Sequence, residues 1–167
     1  MDASDAERSA VVTPTVVGMD GDTLSVERPI AAPPEKIFAL LSDAGKHASF
    51  DGSGTVKGTR RPSQPLERGS VFGMSMKMGA PYSTKNTVVE FEQDRRIAWK
   101  TTGLFGLVGG RIWRYELEPT ADGTLVRETW DLSEDKQAVL LKRTKMPAAT
   151  KKNMRRTLDR LAEAVGG

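Results

Sequence analysis

Hydrophobic and polar residues alternate with a period of two through most of the chain between residues 23 and 132. The clearest example is the segment 70–78 (SVFGMSMKM), where every second residue is aromatic or methionine: Phe72, Met74, Met76 and Met78. Successive side chains of a β-strand point to opposite faces of the sheet, so this spacing predicts a strand with one Met-rich face. Such a face is either part of the core or the wall of a cavity, because methionine adapts to irregular neighbours and to ligands of varied shape.

Six further segments show the same alternation, and together they predict a sheet of seven strands. The strands span residues 23–30, 55–61, 69–78, 82–92, 96–102, 111–118 and 124–132. From residue 55 onward the connections are too short for a crossover helix, which makes neighbouring strands antiparallel.

Helical periodicity is confined to two regions. A Pro-Pro-Glu sequence at 33–35 favours a helix start, and a short helix or turn follows at 46–50. The longer region, 134–165, is interrupted by Pro147, which predicts a kink or a new start there. Because its second part is amphipathic and is the only element long enough to cover the sheet, we expect an α+β fold in which a curved antiparallel sheet wraps around a long C-terminal helix.

Residues 1–21 have no sustained periodicity, and we predict a loosely ordered leader ahead of a single domain at 22–167. The leader is acidic and lacks the apolar run of a secretory signal, and no stretch of apolar residues is long enough to span a membrane. The absence of cysteine excludes disulfides and thiol catalysis. These features predict a cytoplasmic protein and leave open whether it is a monomer or a homodimer.

The net charge of +3 is unevenly distributed along the chain. Residues 136–160 contain nine Lys or Arg residues and one acidic residue, Asp159. Such a segment is either a solvated helix face or a contact for RNA, an anionic lipid or an acidic partner. Nucleic acid binding is not expected, because aromatic residues are not interleaved with the basic ones.

Several segments resemble the START/polyketide cyclase-like superfamily, also known as SRPBCC, which includes the pollen allergens. They are VERPIAAPPEKIFALLSDAGKHASFDGSG (26–54), GSVFGMSM, VVEFEQDRRIAWK and WRYELEPTADGTLVRETWD, followed by the amphipathic C-terminal helix. The resemblance covers residues 23–165 and implies the helix-grip fold, with two short helices after the first strand. Members include carriers, aromatase/cyclases, hydrolase-like enzymes and regulatory binding modules, so the fold alone does not identify the chemistry.

The resemblance also implies a cavity between the sheet and the C-terminal helix. By alternation, the candidate lining residues are Phe72, Met74, Met76, Trp99, Trp113, Tyr115, Trp130, Met154 and Leu158. Their apolar or amphipathic side chains suit a largely aromatic or aliphatic ligand. The alternative is a collapsed core that leaves no cavity.

Glu128 is the most informative of four candidates for a catalytic residue, the others being Arg111, Tyr115 and His47. It shares a strand face with Val126 and Trp130. Burial there raises the pKa of a carboxyl group and suits it to proton transfer or to holding a ligand hydroxyl. Arg111 is a candidate partner for Glu128 or for a ligand carboxylate, unless a bulge or a strand end turns Glu128 outward.

His47 is the only histidine, and Asp43 and Asp51 lie four residues away on either side. A His–carboxylate pair is a candidate general base, and the alternative is a lone histidine at a helix end or on the surface. A single histidine with dispersed acids gives no metal-ligand spacing, and no Gly-rich phosphate loop is present. We therefore expect neither a metal nor a cofactor.

The connection 103–110 (GLFGLVGG) is apolar where a short polar turn is expected between two strands. Leu104, Phe105 and Leu107 are costly to expose unless they cover something. We predict a flexible lid over the cavity mouth with Phe105 as its plug. The alternatives are a dimer contact, membrane docking or an ordinary loop folded onto the core.

These observations favour binding of a small hydrophobic, aromatic or lipid-like ligand for transport or sequestration. The second hypothesis is a polyketide cyclase or dehydratase that uses the same cavity, and the third is RNA or acidic-partner binding through residues 136–160. Turnover distinguishes the first two, because a carrier returns its ligand unaltered.

Overall fold

The computed structural model describes residues 15–166, which form one antiparallel sheet of eight strands and four α-helices. The strands are β1 (Thr15–Asp20), β2 (Thr23–Ile30), β3 (Val56–Thr59), β4 (Val71–Met78), β5 (Ala80–Glu92), β6 (Arg96–Gly103), β7 (Val108–Thr120) and β8 (Gly123–Asp131). The helices are α1 (Pro34–Leu41), α2 (His47–Phe50), α3 (Ala138–Lys142) and α4 (Met146–Gly166). Two short 3-10 helices occupy Ala44–Lys46 and Leu104–Gly106. The predicted α+β class, the antiparallel sheet and the long C-terminal helix are confirmed.

The sheet has the order β1-β2-β8-β7-β6-β5-β4-β3. Strand β2 therefore pairs with β1 on one side and with the last strand, β8, on the other. The predicted count of seven strands is wrong by one, because β1 (Thr15–Asp20) lies in the segment assigned to the leader. A tight turn at Gly21, whose φ is +57°, pairs β1 with β2 as a hairpin. The sequence Asp20-Gly21 is itself a hairpin signal. The rest of the predicted leader, residues 1–14, lies outside the described residues.

Helix α4 covers only one part of the sheet. It packs mainly against β2 and β8, where Met154, Leu158 and Leu161 are completely buried. Pro147 stands in the first turn of α4, where its missing N–H costs no intrahelical hydrogen bond, so the chain makes a new start there rather than a kink. On the face of the sheet that α4 contacts, strands β4, β5 and β6 are therefore left partly uncovered.

The turn after α2 is held against α4 by a close backbone contact. The Gly52 N–H donates a hydrogen bond to Thr157 Oγ1 at 2.9 Å. A Cβ atom at position 52 would lie 2.1 Å from the Asn153 carbonyl oxygen, so only glycine permits this approach. The contact positions α2 beside the uncovered part of the sheet.

Candidate functional site

A cavity of about 850 Å³ lies between the uncovered strands, α2 and the first half of α4. Most of the residues predicted to line a ligand cavity are on its wall: Phe72, Met74, Met76, Trp99, Trp113, Tyr115 and Met154. Trp130 and Leu158 are on the correct faces of β8 and α4 but lie in the core, and Trp130 is only 1% exposed. They belong to the region where α4 contacts β2 and β8 directly, which explains why alternation alone places them wrongly.

Trp99 is the centre of an aromatic cluster on the cavity wall. The ring of His47 stacks on it with centroids 4.7 Å apart and planes inclined by 23°. The ring of Phe72 meets it edge-on at 6.0 Å, and that of Tyr115 lies 5.6 Å away. Rings in these arrangements hold one another in place, which makes this wall rigid.

His47 is the first residue of α2, which agrees with the expected position at a helix end, but it is buried, so the expectation of a surface histidine is wrong. Its Nε2 lies 2.8 Å from the Leu41 carbonyl oxygen, which can only accept, so Nε2 carries the proton and Nδ1 does not. Burial lowers the pKa of His47 to about 4, so the imidazole is neutral near pH 7. Neither neighbouring aspartate forms a hydrogen bond with His47, because Asp43 bonds to Gly45 and Asp51 to Ser53. The predicted His–carboxylate pair is therefore absent from the described structure.

The burial of His47 was detectable in the sequence. His47 and Phe50 are three residues apart and therefore share one face of a short helix. Phe50 is also buried and also lines the cavity. The apolar face of α2, formed by His47 and Phe50, was the local signal of this burial.

Glu128 faces the cavity, and Tyr115 is its cross-strand neighbour. The pairing of β8 with β2 and β7 is continuous through this position, so no bulge turns the side chain outward. The Tyr115 hydroxyl donates a hydrogen bond of 2.8 Å to Glu128 Oε1, whereas Oε2 has no partner among residues 15–166. Burial raises the pKa of Glu128 to about 8, with the Tyr115 hydrogen bond acting in the opposite direction. Burial and the Glu128 carboxyl also raise the pKa of Tyr115, which keeps its proton.

Arg111 lines the cavity but is not the partner of Glu128. Its Nε donates a hydrogen bond of 2.9 Å to Asp135 Oδ2, and the Asp135 side chain is fully enclosed. The second Asp135 oxygen accepts a hydrogen bond from the Gln137 N–H. This ion pair ties the segment after β8 to β7, and nothing in the local sequence around Asp135 predicts it.

A polar patch that the sequence analysis did not single out lies on the wall formed by β5 and β6. Thr101 Oγ1 donates a hydrogen bond of 2.7 Å to Asn86 Oδ1, and both residues line the cavity. Asn86 is opposite Thr101 in the strand register and shares a face with Thr84. Strand alternation alone is sufficient to place Thr84, Asn86 and Thr101 on the cavity face of the sheet.

The apolar connection between β6 and β7 lies at the cavity mouth. Leu104, Phe105 and Leu107 are all exposed, and of the three only Leu104 is among the lining residues. Phe105 is fully exposed and adopts a left-handed φ of +55°, so it does not plug the mouth in this conformation. That part of the lid hypothesis is wrong for the conformation described, and movement of the connection stays a prediction.

Residues 15–166 contain neither a membrane-spanning helix nor a cluster of metal ligands. No helix in this range is long and apolar enough to cross a membrane. In the same range, no group of three or more His, Asp or Glu side chains is arranged to hold a metal ion.

Comparison with known proteins identifies relatives over nearly the whole chain. Residues 22–166 match a family model described as polyketide cyclase / dehydrase and lipid transport. An uncharacterized Mycobacterium tuberculosis protein, Rv0088, is 34% identical over 125 residues, which is 72% of this chain and 52% of that protein. The chain thus spans about half the length of the curated relatives it matches.

Solved structures with low sequence identity share the fold. A Rhodobacter sphaeroides protein has a TM-score of 0.71 at 16% identity, with 92% of this chain and 97% of that chain covered. The AHSA1-like protein from Aeromonas hydrophila has a TM-score of 0.62 at 21% identity, with 86% and 92% covered. At these identities the likeness concerns the fold alone.

Proposed function

The chain belongs to the polyketide cyclase/dehydrase and lipid transport family, and we propose that it binds a small hydrophobic, aromatic or lipid-like ligand between its sheet and α4. The observation that carries the proposal is the cavity of about 850 Å³ with its wall of methionines and aromatic rings. Close-packed protein interiors contain few voids larger than a water molecule, whereas ligand pockets of roughly 300–1,000 Å³ are usual. A protein that binds such a ligand would serve to transport or to sequester it.

The chemistry of the wall favours an apolar ligand of variable shape. Three methionines of β4, Met74, Met76 and Met78, line the cavity from its inner part to its exposed edge. Their thioethers adapt to different ligand outlines, while the rigid Trp99 cluster offers an aromatic surface. This combination supports hydrophobic contact as the main source of affinity.

Titration with N-phenyl-1-naphthylamine, a neutral dye whose emission rises in apolar surroundings, tests the proposal. We expect saturable binding and a rise in melting temperature, since a ligand that binds only the folded state stabilises it. Met74→Trp fills the cavity and should weaken binding at least tenfold. Val71→Trp is the matched control, because Val71 is on the same strand and exposed on the opposite face. Equal binding by both variants, or no saturable binding by the native chain, would contradict the proposal.

The second candidate is a cyclase or dehydratase, and the presence of Glu128 and Tyr115 inside the cavity favours it. A carboxyl group with a pKa near 8 is protonated at neutral pH and can act as a general acid. Liquid chromatography with mass spectrometry of compounds recovered after incubation distinguishes the two candidates. A carrier returns the ligand with its retention time and mass unchanged. A dehydratase releases it lighter by one water, and a cyclase that removes no water changes its retention time at the same mass.

A further inference from the structure

The strongest unexplained feature of the cavity is one oxygen atom of Glu128. The side chain is buried, with 3% of the residue exposed, and it forms part of the cavity wall. Oε1 accepts the Tyr115 hydrogen bond, but Oε2 has no partner within the described part of the chain. A buried polar atom without a partner loses about 1–3 kcal/mol relative to water, so a group that pairs with Oε2 would be bound preferentially.

The existing hydrogen bond determines what Oε2 can offer. The Tyr115 hydroxyl gives its single proton to Oε1, and Tyr115 keeps that proton because its pKa is raised. The carboxyl proton of Glu128 is then on Oε2, since Oε1 is already occupied as an acceptor. Burial favours this neutral form at pH 7. Oε2 is therefore a hydrogen-bond donor, and its complement is an acceptor.

The charges around Glu128 disfavour an anionic acceptor. Asp51 contributes a negative field that raises the pKa of Glu128. Arg111, the cation on the same wall, is already paired with Asp135. The titratable groups that act on Glu128 are Tyr115 from β7 and Asp51 from the turn after α2, and His47 from α2 lines the same cavity. Arg28 of β2 and Asp159 of α4 pair with each other.

We propose that Glu128 Oε2 donates a hydrogen bond to the ligand, so that the preferred ligand is an uncharged apolar molecule with a carbonyl oxygen at its buried end. This inference rests on the proposed function, because it assigns a polar group to the same hydrophobic ligand. The exposed mouth of the cavity, near Leu104 and Tyr82, receives the opposite end of the molecule. Hydrophobic contact supplies most of the affinity, and the carbonyl determines the orientation.

A pair of dyes of nearly identical shape tests the inference. The first is 6-propionyl-2-dimethylaminonaphthalene, an aromatic ketone whose emission moves to longer wavelength when its carbonyl accepts a hydrogen bond. The second is the 6-propyl analogue, in which a CH₂ group replaces the carbonyl. At pH 6.5 we expect the ketone to bind about three- to tenfold more tightly, which corresponds to one net hydrogen bond.

The pH dependence and two variants identify the donor. In the native chain, the advantage of the ketone should disappear between pH 6.5 and 9.5, as Oε2 loses its proton. Glu128→Gln retains an N–H donor that does not titrate, so the advantage should persist at pH 9.5. Glu128→Leu removes the donor and should abolish the advantage at every pH. If a variant does not fold, the native chain alone still gives the affinity ratio, the emission shift and their loss with pH.

Three other results would overturn the inference, and one of them would overturn the proposed function as well. Equal affinity for the two dyes at pH 6.5 would overturn the inference and leave the proposed function standing. Tighter binding of the corresponding naphthoate anion would overturn it as well, because it would show an anion site. Failure of both dyes to bind would overturn the proposed function and the inference together.

Discussion

Replacing Glu128 by Gln should change how the stability of the protein depends on pH. In the unfolded chain this carboxyl group has an ordinary pKa of 4.5, and in the folded chain burial raises the pKa to about 8. Between these values the folded state holds a proton that the unfolded state has released. The free energy of unfolding therefore falls as pH rises through this window, and it is constant with respect to Glu128 below and above it.

The size of the effect follows from the same two values. The interval from 4.5 to about 8, at about 1.4 kcal/mol per pH unit, amounts to roughly 5 kcal/mol. Glutamine preserves the acceptor for the Tyr115 hydroxyl but does not titrate. The difference in unfolding free energy between the native chain and Glu128→Gln should therefore decline with pH by about this amount, with the variant gaining relative to the native chain.

Urea denaturation followed by tryptophan fluorescence, at half-unit steps from pH 4 to pH 9, measures this difference. Subtraction of the two curves removes the contributions of all other titrating groups, because both chains contain them. A difference that is constant within about 1 kcal/mol over the whole range would refute the assignment of a buried, protonated Glu128. It would also remove the physical basis for a donor at Oε2.

Three further predictions concern other parts of the molecule. The pKa of His47 is lowered to about 4, so the free energy of unfolding should decrease by about 3 kcal/mol as the pH falls from 6.5 to 4. In the same urea assay, His47→Phe should not show this decrease. Gly52→Ala should lower the free energy of unfolding by roughly 2 kcal/mol or more, because the added Cβ would overlap the backbone of α4. Gly73→Ala is the control, because its Cβ meets only the Arg60 side chain at 3.4 Å, and it should unfold at a urea concentration close to that of the native chain. Deletion of residues 104–108 should speed dye dissociation in stopped-flow experiments, and an unchanged rate would show that this connection is not a lid.

The alternation of side chains was sufficient to predict much of the sheet and one wall of the cavity. It assigned Phe72, Met74 and Met76 to one face and Glu128 to the same face as Trp130, because face assignment depends only on the local backbone period. It did not show which part of that face α4 covers. Trp130 therefore appeared in the predicted lining, although it is in the core.

Two partners in the site were missed for the same physical reason, since each contact joins distant segments. Asp135 is 24 residues from Arg111 in the chain and meets it only after β7 and the segment beyond β8 come together. The apolar face that His47 shares with Phe50 is local, but its stacking partner Trp99 lies on the distant strand β6. In neither case does the local sequence identify the residue that will be the partner.

The cavity contains two titratable groups whose pKa values are moved in opposite directions by the same cause. Burial disfavours the charged form of each, so near pH 7 Glu128 retains its proton and His47 lacks a second one. The cavity lining thus contains a protonated carboxyl group and a neutral imidazole, with the Trp99 ring between His47 and Tyr115. For a carrier, this pair provides only two orienting contacts for a neutral ligand. For a dehydratase, Glu128 is an acid in its working protonation state, but an imidazole with a pKa of about 4 is a weak base near pH 7. Such a reaction would also require both groups to reach one substrate at the same time. Binding needs only one of the two, which is why a hydrophobic ligand oriented by Glu128 is the less demanding explanation of the site.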